Sequence, residues 1–101
     1  MEFLALDTEI SNPNMASICQ IGIAHFKDGK IVNEWNTYIN PLDYFSPINT
    51  SIHNITAEKV KNAPTFQQYA PTLNQILNGK IVVSHTHFDR TSLYRAANRS
   101  N

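Results

Sequence analysis

Asp7 and Glu9 stand two residues apart at the end of a short apolar run, Glu2 to Leu6, and Asp89 follows another such run, Lys80 to Ser84. In an extended chain, positions i and i+2 face the same way, so both carboxylates leave the first run on one side and Thr8 leaves on the other. If the two runs are neighbouring parallel strands, Asp89 is delivered to the same rim of the sheet. Two unit charges about 4 Å apart repel by roughly 4 kcal/mol at an effective dielectric of 20, so acids gathered in this way call for a cation. Carboxylate oxygens are hard ligands that favour Mg2+ or Mn2+ over zinc. Two such ions about 3.5 to 4 Å apart clamp the attacking and leaving oxygens of a phosphoryl transfer. On spacing alone, the same acids equally fit separate strand-end and helix-cap roles, because Asp-x-Glu is a short pattern.

The elements that must carry these acids follow from periodicity and punctuation. Glu2 to Leu6 is too short for a helix and is bounded by Ser11, Asn12, Pro13 and Asn14, which makes it a buried strand. Ile18 to Phe26 reads as a second strand. Asp28-Gly29 then forms a two-residue hairpin turn into a third strand, Ile31 to Ile39, which carries Trp35 and Ile39 on one face and reads as an edge. Asn40 to Asn54, with Pro41 and Pro47, reads as an irregular loop. Thr56 caps a short helix over Ala57 to Lys61. A longer helix starts at Pro64-Thr65 and stops at Asn78-Gly79, with Pro71 expected to kink or divide it. Lys80 to Ser84 is the fourth strand, and a last helix opens near Phe88. The expectation is a single α/β domain of order β-β-β-α-β-α, with a mixed sheet of strand order 3-2-1-4.

Composition narrows the partners. With 101 residues there is room for one domain, and eight Lys and Arg balance eight Asp and Glu, so no general positive field is available to hold a polyanion. Local groups or metal ions must do so. No run of about 18 apolar residues exists to span a membrane. Cys19 has no second cysteine to pair with, and the start MEFLALDTEI lacks the marks of a secretory leader, so the chain is expected to be cytoplasmic.

Four ordered segments carry a resemblance. Phe3-Leu-Ala-Leu-Asp7-Thr-Glu9, then Ser17-Ile-Cys-Gln-Ile-Gly-Ile, then Ile52-His-Asn-Ile-Thr56 ahead of Ala63-Pro-Thr-Phe66, and Val82-Val-Ser-His85-Thr-His-Phe-Asp89-Arg90 resemble the DEDD-family 3′-5′ exonucleases, DNA polymerase III epsilon among them. The resemblance implies a ribonuclease-H-like fold and two-metal hydrolysis at a nucleic-acid 3′ end, DNA or RNA, as in replication and repair. It implies Asp7, Glu9 and Asp89 as catalytic metal ligands for Mg2+ or Mn2+. It implies Thr8, Ile10, His53, Ile55, His85 and Phe88 as residues beside the substrate. The family's last strand and final helix, with a general-base His and a fourth acidic ligand, have no counterpart here. The two-ion site is therefore expected to be incomplete, binding metal loosely and catalysing poorly.

Two other readings stand beside this one. His85-Thr-His87-Phe-Asp89 also resembles the first half of a zinc-hydrolase signature, but Arg90 occupies the place of its next His. The two histidines read better as a polar cluster bonded to backbone at a strand end. The non-enzymatic alternative is an interaction module on the same fold. Without a further strand, the fourth strand's edge is open and invites a homo-oligomer.

Overall fold

The computed structural model describes residues 1–84 and 87–99. Its sheet grows from one turn. Asp28 and Gly29 both take positive φ, 53° and 80°, which suits the right-handed twist of a hairpin. They join β2 (Ile18–Lys27) to β3 (Lys30–Tyr38), with Lys27 opposite Lys30. β1 (Glu2–Ile10) lies antiparallel on the other side of β2, and the short β4 (Val82–Ser84) runs parallel to β1. The order β3-β2-β1-β4 is the one the sequence leads one to expect. β1 runs on past the apolar stretch to Ile10, because backbone pairing with β2 does not stop where the side chains turn polar.

The connection from β3 to β4 holds three helices: α1 (Pro47–His53), α2 (Ala57–Val60) and α3 (Phe66–Leu77). α1 corrects the expected irregular loop. Ser46 caps it by accepting the Asn49 amide, Pro47 takes the first-turn position where its missing N–H costs nothing, and Asn54 closes it at φ 59°. The helix is invisible to apolar periodicity because none of its residues is buried.

α3 begins with a reciprocal capping box: Thr65 Oγ1 accepts the Gln68 amide at 3.2 Å, and Gln68 Oε1 accepts the Thr65 amide at 2.9 Å. Pro71 does not divide it; the helix is continuous from Phe66 to Leu77 with Pro71 on an exposed position. α4 (His87–Arg99) follows β4.

Leu4, Leu6, Ile21 and Ile23 project from one face of the sheet into the main core, where Phe66 and Leu73 of α3 and Ala96 of α4 meet them. Trp35 packs against the rim of that core from β3. Cys19, Ile55 and Val60 form a second, smaller cluster with Phe45 and Ala63, and this is what holds the segment after α1 against the start of β2. No helix among the described residues is long and apolar enough to cross a membrane.

Candidate active site

The ladder between β1 and β2 is regular from Glu2 opposite Lys27 to Glu9 opposite Gln20. Alternation along β1 therefore places Asp7 and Glu9 on the face away from Leu4 and Leu6, with Asp7 exposed and Glu9 half-buried. Thr8 belongs to the opposite face, and Ile10 packs against the main core. On the carboxylate face lies a trough of about 590 Å3, lined by Ala5, Asp7, Gly22, Ala24, Phe26 and Asn36 among others.

Immediately after Glu9 the register slips. Ile10 pairs with Ile18, so Cys19 is the extra residue of a bulge, and its carbonyl accepts the Ile39 amide at 2.9 Å. Bulges of this kind bend a strand and re-aim its side chains. The bent end is held by α1: the Ile10 carbonyl accepts from His53 Nε2 at 2.9 Å and Asn49 Nδ2 at 3.3 Å, and the Ser11 carbonyl accepts the Ser46 amide at 2.8 Å. Asn12, fully buried, ties the next turn to the loop before α1 by donating to the Tyr44 carbonyl at 3.0 Å.

β4 approaches from the other side. Leu4, Ala5 and Leu6 pair with Val82, Val83 and Ser84, so β4 ends one residue short of the level of Asp7, and α4 begins three residues later. Residue 89 falls in the first turn of α4. The side chains of Phe88 and Asp89, and the whole of His85, lie outside the described parts of the structure. Ile55 is 3% exposed, in the small cluster with Cys19.

Cys19 is no nucleophile at neutral pH: burial first, and then the negative charge of Glu9, push its thiol up to about 12. Among the described residues no group of three or more His, Cys, Asp or Glu side chains is arranged to hold a metal ion. The acids described at this rim, Asp7 and Glu9, offer the hard oxygen donors that suit Mg2+ or Mn2+ rather than zinc.

Asn49, Ser46, Gly22 and Asn36 are the residues about this rim that the sequence reading passed over. The signal available for the first two was Ser46-Pro47, a cap followed by a first-turn proline. For the other two there was no local signal, because only the register brings Gly22 opposite Asp7 and Asn36 opposite Gly22.

Comparison with known proteins agrees with this frame. The family model for exonucleases (RNase T) matches residues 2–99, and the chain belongs to that family. Among curated proteins it is similar to the PolC-type DNA polymerase III of Thermotoga petrophila, 32% identical over 90 residues covering 86% of this chain and 7% of that protein. The PolC-type enzyme of Caldanaerobacter subterraneus subsp. tengcongensis is 33% identical over 92 residues, covering 87% of this chain and 6% of that protein. The chain thus spans only a small part of these relatives.

Among solved structures, exonuclease X in complex with 5′ overhanging duplex DNA superposes with a TM-score of 0.73 at 26% identity, covering 93% of this chain and 52% of that one. A 3′-exonuclease bound to a histone mRNA stem-loop gives a TM-score of 0.82 at 17% identity, covering 98% of this chain and 41% of that one, a likeness that speaks to the fold. The fold is the ribonuclease-H-like α/β arrangement that the sequence resemblance implies.

Proposed function

We propose that this chain belongs to a metal-dependent 3′-5′ exonuclease and supplies Asp7, Glu9 and Asp89 to the divalent ions at which phosphodiester bonds at a nucleic-acid 3′ end are hydrolysed. The observation that carries the reading is the common face of Asp7 and Glu9 at the end of β1, beside a parallel β4 that leads into the helix bearing Asp89. Membership of the exonuclease family supports it. The DNA and the RNA named with the two structural neighbours support a nucleic-acid substrate.

Mg2+ or Mn2+ at these carboxylates would supply Lewis-acid stabilisation of the charge that develops on the phosphate. The chain's own contribution is to hold the acids. Asp7 and Glu9 are carried by a strand that β2 pairs along its length, and the bend beyond Glu9 is fixed by α1. The trough along the same face gives a strand end room to approach Asp7.

The reading is tested by melting the protein with and without Mn2+. A ligand that binds only the native state raises Tm. The rise is expected for the parent and lost in Asp7→Asn; an equal rise in both places the ion elsewhere and overturns the reading. A 3′-labelled oligonucleotide then reads the reaction as metal-dependent release of the labelled terminal nucleotide.

A second reading, an interaction module, is favoured by the edge at β4, where Ile81 and Val83 are 65% and 48% exposed. Backbone groups and apolar side chains at a sheet edge pair readily with another chain.

A further inference from the structure

His53 is the last residue of α1, and the chain turns sharply after it because Asn54 adopts φ 59°. That turn brings the Ile55 amide back onto the imidazole, where it donates to Nδ1 at 3.0 Å. An Nδ1 that accepts cannot carry the proton, so the neutral ring holds it on Nε2, which donates to the Ile10 carbonyl at 2.9 Å. One tautomer thus satisfies both edges of the ring. Cys19 Sγ lies 4.0 Å from Nε2 and remains a thiol.

Both polar atoms of His53 are therefore taken up by backbone. One of the two peptide groups is the residue immediately after Glu9, at the point where the β1–β2 register slips. One turn earlier on α1, Asn49 donates to the same Ile10 carbonyl at a longer 3.3 Å. The ring is a strut between the Asn54 turn and the bent end of β1.

We propose that His53 is a positioning residue: through the Ile10 peptide it fixes the direction in which Glu9 leaves the sheet, and it does not itself touch substrate. This deepens the function proposed above and rests on Asp7 and Glu9 being ion ligands. Groups that orient a ligand through hydrogen bonds are commonly worth 10- to 100-fold in metal affinity.

Glutamine and asparagine each reproduce half of the ring. His53→Gln places an amide N–H near the position of Nε2 and keeps the bond to Ile10; His53→Asn places an oxygen near Nδ1, keeps the bond to the Ile55 amide and loses the reach to Ile10. Mn2+ affinity, measured from the free-ion signal in electron paramagnetic resonance, and Tm without metal are read for both variants and for the parent. His53→Gln is expected to bind Mn2+ within about twofold of the parent and His53→Asn about tenfold more weakly. Parental affinity in His53→Asn overturns the proposal, as does an equal loss in both variants, which is the pattern of a general structural role.

If His53→Asn does not fold, Asn49→Ala, which leaves the His53 bond alone, together with His53→Gln carries the test: both within about threefold of the parent supports it, and a tenfold loss in His53→Gln overturns it. Asp7→Asn runs alongside. Loss of binding there with none in His53→Asn removes the His53 assignment alone. Retention of binding in Asp7→Asn removes the ion site and the assignment together.

Discussion

Gly22 stands directly opposite Asp7 in the β1–β2 ladder, and a methyl group in place of its hydrogen would come within 3.0 Å of Asn36 Oδ1. Asn36 belongs to the edge strand and is exposed, so its amide can swing aside. Gly22→Ala also removes conformational freedom from the unfolded chain, an effect of about 0.4 to 1 kcal/mol in favour of folding. The two effects oppose, and Tm is expected to move by less than about 4 °C, the shift of roughly 1 kcal/mol in a domain of this size.

A larger side chain reads the trough. Leucine at position 22 would project over the same face as Asp7, into space that a strand end would need under the proposed function. Gly22→Leu is expected to weaken binding of a single-stranded oligonucleotide about tenfold while leaving the Mn2+-induced rise in Tm in place, an energetic cost of about 1.4 kcal/mol. Fluorescence anisotropy measures the first and thermal melting the second. Unchanged oligonucleotide binding would mean that substrate does not enter along this face.

At the start of α3 the expected outcome is a plain loss of stability. Thr65→Ala removes the oxygen that accepts the Gln68 amide, and caps of this type contribute about 1 kcal/mol, or 4 to 8 °C in Tm. Thr65→Ser keeps the oxygen and should recover most of the loss. Denaturant melts of the two variants check it: equal destabilisation by both would assign the effect to the lost methyl group.

Thr65 also shows what was legible beforehand. Its cap is spelled in the chain itself, as Thr65 followed three residues later by Gln68 and by the helical spacing of Phe66, Tyr69, Ala70 and Leu73. The hairpin at Asp28-Gly29 and the order of the strands were open to the same local reading. α1 was not, because a helix that buries none of its residues leaves no apolar stripe, and Ile48 and Ile52, each 74% exposed, point away from any core. The pairing of Asp7 and Glu9 on one face follows from strand period alone. The tether that holds the strand beyond them depends on Ile10 meeting His53 across 43 positions of sequence, which no local pattern encodes.

The sheet edge at β4 carries its own expectation. Val83 is half exposed and pairs with Ala5 from the outermost strand of the described sheet. Charge on an edge strand opposes pairing with another chain. If β4 mediates self-association, light scattering behind size-exclusion chromatography should show a mass that rises with concentration in the parent and stays monomeric in Val83→Lys. A mass independent of concentration in both would remove the edge as an association surface.

Cys19 ties the small cluster behind Glu9 to a measurable pH dependence. Its thiol is pushed from an ordinary 9.0 up to about 12, chiefly by burial and further by the charge of Glu9, so the folded state favours the protonated form. The contribution to stability is fully present below the unfolded value and is lost as pH rises between about 9 and about 12, because there the unfolded chain releases a proton that the folded chain keeps. One proton corresponds to about 1.4 kcal/mol per pH unit, so going from pH 8 to pH 10 costs about 1.4 kcal/mol through this group alone. Lysines and tyrosines titrate in the same range, so the measurement is the difference between the parent and Cys19→Ala in urea melts at each pH. The parent is expected to lose stability more steeply than the variant above pH 9, and to resist iodoacetamide at pH 8 until it is unfolded. Parallel stability curves, or alkylation of the native protein at the rate of a free thiol, would show that the thiol is open to solvent and that the packing of Cys19, Ile55 and Val60 behind Glu9 is looser than described.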